Sequence, residues 1–93
     1  MAIFLVSYDL RKPGRDYKSL YQAIHSFGAN IHPLESIWFI SSNASAAQVR
    51  DTLTKHIDPN DGLLVLESGK TAAWLGLTND DSSRLKATIE AIR

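Results

Sequence analysis

Short apolar runs alternate with helix-type patterns along most of this chain. The runs at residues 3–8, 36–41 and 63–67 are too short for a typical helix and are dominated by β-branched, aromatic and aliphatic side chains, so each predicts a strand. Apolar residues recur every three or four positions over residues 17–27 and 45–57, which predicts two amphipathic helices. Because the strand runs are apolar at successive positions, we expect both faces of the sheet to be covered.

Local signals define where these elements begin and end. Gly28 is placed to end the first helix, and Ser45 with Gln48 three residues later forms a capping box for the second. Pro59 stops that second helix. Pro33 has no amide hydrogen for a strand ladder, so we expect a short strand, a bend near residues 33–35 and then the strand at 36–41.

The C-terminal part adds two predicted elements. Residues 71–77, with Trp74 at their centre, predict a further strand, and residues 79–93 predict a short helix through Leu85, Ile89 and Ile92. The whole order predicts an α+β fold, a ferredoxin-like βαββαβ sandwich with an additional C-terminal strand and a short helical tail. Residues 1–78 would form the domain, and residues 79–93 would form the tail.

The two main helices can cover only one face of such a sheet. Since the strands are apolar on both faces, the open face is expected to pack against something else, most simply an identical subunit. A chain of 93 residues builds only a small core, and small cores commonly need reinforcement by a partner. The sequence therefore predicts a homodimer.

Composition excludes several classes of function. The chain has no cysteine, so disulfides, zinc-thiolate sites and thiol nucleophiles are excluded. No apolar run is long enough to cross a membrane, which favours a cytoplasmic protein without a membrane partner. Ten Lys and Arg balance ten Asp and Glu, so no net field attracts nucleic acid.

The one local charge signal is a basic segment after the first strand. Four cations lie within eight residues, and this segment is either a solvated entrance to the helix or a patch that contacts phosphates. Both interpretations stay open. The cations are Arg11, Lys12, Arg15 and Lys18.

Three stretches resemble the CRISPR-associated Cas-two family. The first strand ends in Tyr8 and Asp9 and leads into a basic loop and a helix, residues 36–39 stand where that family has a Ser-Val-Phe motif, and residues 57–65 resemble its loop and strand after the second helix. The resemblance extends to about Leu77 and looks closer still to small bacterial relatives labelled as a SinR family. Ile40 is a departure, since the family often carries an acidic residue there.

The resemblance implies a ferredoxin-like dimer in which Asp9 of each subunit holds a divalent metal, Mg²⁺ or Mn²⁺. Some members of the family are metal-dependent nucleases on RNA or DNA, and others are structural, DNA-binding proteins. A carboxylate at a strand end is chemically suited to such a cation, and a two-fold axis would supply two of them. The alternative is that Asp9 caps the following turn or pairs with Arg11 or Arg15.

Neighbouring residues complete the candidate site. Ser7, Tyr8 and Arg11 are placed to position a substrate, and Ser36 is a candidate for the same cleft. Tyr8 is alternatively a core or interface ring, and Ser36 an ordinary strand serine. The three histidines have no metal-ligand spacing, so we expect structural or solvent roles for them.

Three functions follow from these observations. The first is a dimer that binds RNA or DNA and cuts it as an endonuclease with Asp9 and a divalent metal. The second is a non-catalytic dimeric scaffold or regulator of the same fold, which the zero net charge favours. The third is a toxin-like ribonuclease resembling the VapD group.

Overall fold

The computed structural model describes residues 2–11, 17–28 and 30–92. Within them the predicted order of strands and helices is observed up to residue 67, followed by one further helix. The elements are β1 (Ala2–Asp9), α1 (Lys18–His25), β2 (Asn30–Leu34), β3 (Ile37–Ser42), α2 (Ala46–Thr54), β4 (Gly62–Glu67) and α3 (Asn79–Glu90).

The strands form a four-stranded sheet in the order β2-β3-β1-β4, and all neighbouring strands are antiparallel. Val6 at the middle of β1 lies opposite Trp38 on β3 and Val65 on β4. The first strand is therefore internal, as its apolar sequence predicts, and the predicted α+β class is confirmed.

Alternation along β1 and β3 separates two faces of the sheet. Phe4, Val6 and Tyr8 point to the face covered by α1 and α2, whereas Leu5 and Phe39 point to the opposite face. The main core lies under the two helices. Its buried side chains are Phe4, Val6, Tyr8, Tyr17, Leu20, Ala23, Ile24, Trp38, Ile40, Val49 and Leu53.

The predicted capping box is present at the start of α2. The Gln48 amide donates to Ser45 Oγ at 3.1 Å, and the Ser45 amide donates to Gln48 Oε1 at 2.8 Å. Two backbone donors at the helix end are thus satisfied by side chains. This fixes the start of α2 where the sequence places it.

The additional C-terminal strand predicted at residues 71–77 is wrong. The segment is irregular, and Gly76 adopts a positive φ of 85°. Its apolar side chains are used in another way: Trp74 and Leu77 pack against Leu85 of α3, and Trp74 Nε1 donates to Ser82 Oγ at 2.9 Å. The segment packs against α3 and does not pair with a neighbouring strand.

Helix α3 packs on the face of the sheet opposite α1 and α2. Its buried residues Leu85 and Ile89 contact Ile31 of β2, and Arg84 Nη2 donates to the Asn30 carbonyl at 2.9 Å. The two main helices thus cover one face, as expected, and α3 adds cover on the β2 side of the other face. None of the helices in the described part of the chain has the length and apolar composition needed to span a membrane.

Candidate functional site

Asp9 ends β1 and lies opposite Gly62, the first residue of β4. Its carboxylate is exposed and accepts a hydrogen bond from Arg11 Nε at 2.9 Å, which also forms an ion pair. The two side chains are 68% and 57% exposed, so the pair contributes at most about 1 kcal/mol to stability. Within a single chain, Asp9 therefore pairs with Arg11, which is one of the alternatives to metal binding that the sequence leaves open.

Arg11 makes further bonds to the loop that precedes β4. Its backbone amide donates to Asp61 Oδ1 at 2.7 Å, and its Nη1 donates to the Asn60 carbonyl at 3.2 Å. A Cβ on Gly62 would lie 3.2 Å from Arg11 Nη2, so this glycine allows the guanidinium to approach. In this arrangement the Arg11 side chain binds protein groups, and a phosphate would compete with them.

Asp61 is the centre of this loop. Besides the Arg11 amide, its carboxylate accepts from the Tyr17 hydroxyl at 2.7 Å and from the Asp58 amide at 2.8 Å. The buried Asp58 carboxylate in turn accepts from the Asn60 amide at 3.1 Å. The sequence indicates only a turn at residues 60–62, because the partners of Asp61 lie 44 and 50 residues away along the chain.

A pocket of about 260 Å³ opens beside Asp9. Of the predicted site residues, Tyr8 and Ser36 line this pocket with Asp9, and the Tyr8 amide donates to the Ser36 carbonyl at 3.3 Å. The remaining lining comes from Leu10, Tyr21 and Glu35. Tyr21 and Glu35 are the residues that sequence reasoning missed, since the helical spacing of Tyr21 indicates only a core position.

Tyr8 is part of an aromatic cluster that supports this pocket. Its hydroxyl accepts from Trp38 Nε1 at 3.1 Å and donates to the Glu35 carbonyl at 3.3 Å. Burial raises the pKa of Tyr8 above its ordinary value of 10.0, with the neighbouring Tyr21 hydroxyl adding to the effect. The phenol therefore stays protonated at neutral pH and acts as a fixed hydrogen-bonding group.

Other predicted site residues lie elsewhere or outside the described residues. Ser7 is on the opposite face of β1, paired with Leu64 of β4, so it does not line the pocket. Lys18 is exposed at the start of α1. Lys12 and Arg15 fall outside the described residues, so the predicted basic segment is not seen as a whole.

The donor groups that the described residues of one chain bring together do not form a site for a divalent cation. The Asp9 carboxylate is already paired with Arg11, and across the described ranges no three His, Asp or Glu side chains lie close enough together to hold a metal. His25 and His32 are placed against Trp38, with ring centroids 5.3 and 3.8 Å from it, in agreement with the structural role expected for them.

Comparison of the chain with protein-family models and with solved structures finds no match in either set. The resemblance to the Cas-two family therefore stays a prediction drawn from the sequence. What the structure itself provides is a sheet with one partly open apolar face, an acidic strand end bound to an arginine, and an aromatic pocket beside it.

Proposed function

We propose that the protein works as a homodimeric scaffold whose two copies meet through the open face of the sheet. One observation carries the proposal: Leu64 and Leu66 of β4 are 56% and 55% exposed on that face. Large apolar side chains grouped on one surface mark a contact with another molecule. Leu5 lies opposite Leu66 in the register and extends the patch onto β1.

The covered and uncovered halves of this face argue for a second copy. Helix α3 and the segment before it cover the β2 side, where Ile31 and Phe39 pack with the buried residues of α3. No described element packs over Leu64 and Leu66. Along its edge β4 also has neither a proline nor a charge between residues 62 and 66, the features by which edge strands avoid pairing. An identical patch meeting itself across a two-fold axis would bury all of these leucines.

A ferredoxin-like topology belongs to the same proposal. The order β-α-β-β-α-β and the position of β3 between β1 and β2 are what a split β-α-β arrangement requires. This supports the fold expected from the resemblance. The fold alone does not assign an activity, because one fold serves many functions.

Nucleic-acid binding is a second candidate, and the pocket beside Asp9 favours it. Aromatic side chains next to polar groups are what unpaired bases bind. The endonuclease activity, the Mg²⁺ or Mn²⁺ ion and the toxin-like ribonuclease stay predictions. A metal at Asp9 would need a second carboxylate from another copy and release of the Arg11 guanidinium.

The dimer is tested by reversing the character of the patch. Leu64→Lys with Leu66→Lys should convert a dimer into a monomer in size-exclusion chromatography with light scattering, because four added charges would meet in the contact. Gln22→Lys with Ala47→Lys adds the same charge on exposed positions of α1 and α2 and should leave the dimer intact. An unmodified protein that is monomeric at high micromolar concentration would contradict the proposal.

The second candidate has a separate test. Purified protein is mixed with labelled single-stranded and duplex RNA and DNA at low salt, with and without Mg²⁺ or Mn²⁺. Binding without cleavage supports a non-catalytic role, whereas cleavage that Asp9→Asn abolishes, with the melting temperature unchanged, supports the endonuclease. Cleavage that survives Asp9→Asn excludes Asp9 as its metal ligand and points to a contaminating nuclease.

A further inference from the structure

The pocket beside Asp9 contains an aromatic ring that the packing of this chain leaves partly uncovered. Tyr21 on α1 is 37% exposed, and its ring centroid lies 6.3 Å from that of Tyr8 and 6.4 Å from that of Trp38. Exposed aromatic surface at the edge of a concave site is where a flat ligand gains most from stacking.

The rings behind Tyr21 are held in place. Trp38 is buried, its Nε1 is bonded to the Tyr8 hydroxyl, and the His32 ring stacks on it at 3.8 Å with planes 7° apart. His32 Nε2 is in turn 2.9 Å from the Glu35 carbonyl, which ties the β2–β3 turn to the cluster. Because these aromatic rings are already ordered, they lose little conformational entropy when a ligand binds.

Among the residues that the structure describes, the polar rim of the pocket is rich in acceptors and poor in cations. Asp9 and Glu35 are the acidic residues of the lining, while the Arg11 guanidinium is bound to Asp9 and to the Asn60 carbonyl. Neighbouring carboxylates disfavour a phosphate at this point and favour groups that donate hydrogen bonds. An exocyclic amine such as cytosine N4 carries two N–H groups and can donate to two acceptors, whereas the ring N–H of thymine offers a single donor.

We propose that this pocket takes one unpaired nucleobase carrying an exocyclic amine, stacked on Tyr21 and bonded through its amine to Glu35 or Asp9. The volume of about 260 Å³ lies just below the range typical of drug-sized ligands, as a site for a single base requires. The inference rests on the nucleic-acid binding proposed above, and it adds the group recognised and the strandedness. The base must be unpaired because a paired base cannot present its edge and face to a pocket.

The experiment measures the affinity of short labelled DNA single strands by fluorescence anisotropy. Oligo-dC is compared with oligo-dT and with an abasic strand of the same length, against the unmodified protein and the variants Tyr21→Ala, Tyr21→Leu and Gln22→Ala. Stacking on an aromatic side chain is typically worth enough that its loss weakens binding about tenfold or more. We expect that loss in Tyr21→Ala and Tyr21→Leu with oligo-dC, no change in the exposed neighbour Gln22→Ala, and weak binding of oligo-dT and the abasic strand.

Two further measurements distinguish a base pocket from general nucleic-acid binding. The Trp38 indole N–H resonance, bonded to Tyr8, should shift when oligo-dC binds to the unmodified protein, and affinity should depend only weakly on salt because few phosphates are contacted. Equal affinity for the abasic strand, or a steep dependence on salt, overturns the base pocket and leaves nucleic-acid binding standing. Failure of every strand to bind at low salt overturns both.

Discussion

Replacing Asp61 by alanine should destabilise the chain, because its carboxylate bonds to three separate backbone or side-chain donors. The carboxylate accepts hydrogen bonds from the Tyr17 hydroxyl, the Asp58 amide and the Arg11 amide. These three donors lie in different segments. The Asp61 side chain therefore connects the end of β1, the start of α1 and the loop before β4.

The loss of stability depends on which of the three donors can form a hydrogen bond to water once the Asp61 carboxylate is removed. The Arg11 amide is exposed and can rebind solvent, so its loss costs little. Tyr17 is buried and the Asp58 amide is partly buried. Removing the charged acceptor of either donor therefore lowers the free energy of unfolding by about 1 kcal/mol or somewhat more. We therefore expect Asp61→Ala to lower the free energy of unfolding by about 2–3 kcal/mol.

Urea denaturation followed by circular dichroism measures this difference, with all proteins at one concentration because a dimer makes stability depend on concentration. The matched control is Asp51→Ala, whose carboxylate pairs with the adjacent Arg50 at a surface where both side chains are about three-fifths exposed or more. That control should lose no more than about 0.5 kcal/mol. An Asp61→Ala loss as small as that of the control would refute the hydrogen-bonded connection.

Three further changes test other parts of the account. In the same denaturation assay, Gly69→Ala should be more stable than Gly62→Ala by about 0.5–1 kcal/mol. The added Cβ at Gly62 would lie 3.2 Å from the Arg11 guanidinium, whereas at Gly69 it would meet nothing within 4 Å. Equal stabilities of the two variants would contradict the close approach of Arg11 to Gly62. Because the pKa of Tyr8 is raised above 10.0 by burial, its contribution to stability is complete below about pH 10 and falls as pH rises through the raised value; melting temperatures up to about pH 11 should fall more steeply for the unmodified protein than for Tyr8→Phe, and parallel curves would contradict this. Leu85→Ala should cost about 2–5 kcal/mol if α3 is docked, compared with a change within about 0.5 kcal/mol for the exposed Lys86→Ala, and similar small effects would show that the helix contributes no core.

The sequence predicts those parts of the fold that depend on neighbours along the chain. The capping box of Ser45 and Gln48 is a contact over three residues, and the apolar run of β1 is visible within eight. The strand predicted at residues 71–77 is wrong because its conformation depends on a distant contact. Their apolar pattern suits a strand or an irregular segment, and the choice is made by Trp74 packing against α3, which the local pattern does not contain.

The candidate site divides in the same way. Asp9, Tyr8 and Ser36 are predicted to share a cleft, and the structure places all three in the lining of one pocket. Tyr21 has the spacing of a core residue and is recognised as a pocket residue only when α1 is seen against the β2–β3 turn. The importance of Asp61 likewise depends on a contact across 50 residues, for which a turn-forming sequence gives no signal.

The contact between two copies through Leu64 and Leu66 is the claim on which the proposed scaffold depends. Its most direct test is isotope-filtered NMR on a mixture of methyl-labelled and unlabelled chains, which detects only contacts between different molecules. We predict intermolecular contacts from the methyl groups of Leu64 and Leu66 across the open face of the sheet. Absence of such contacts, with both leucine side chains accessible to solvent at millimolar concentration, would contradict the proposed dimer.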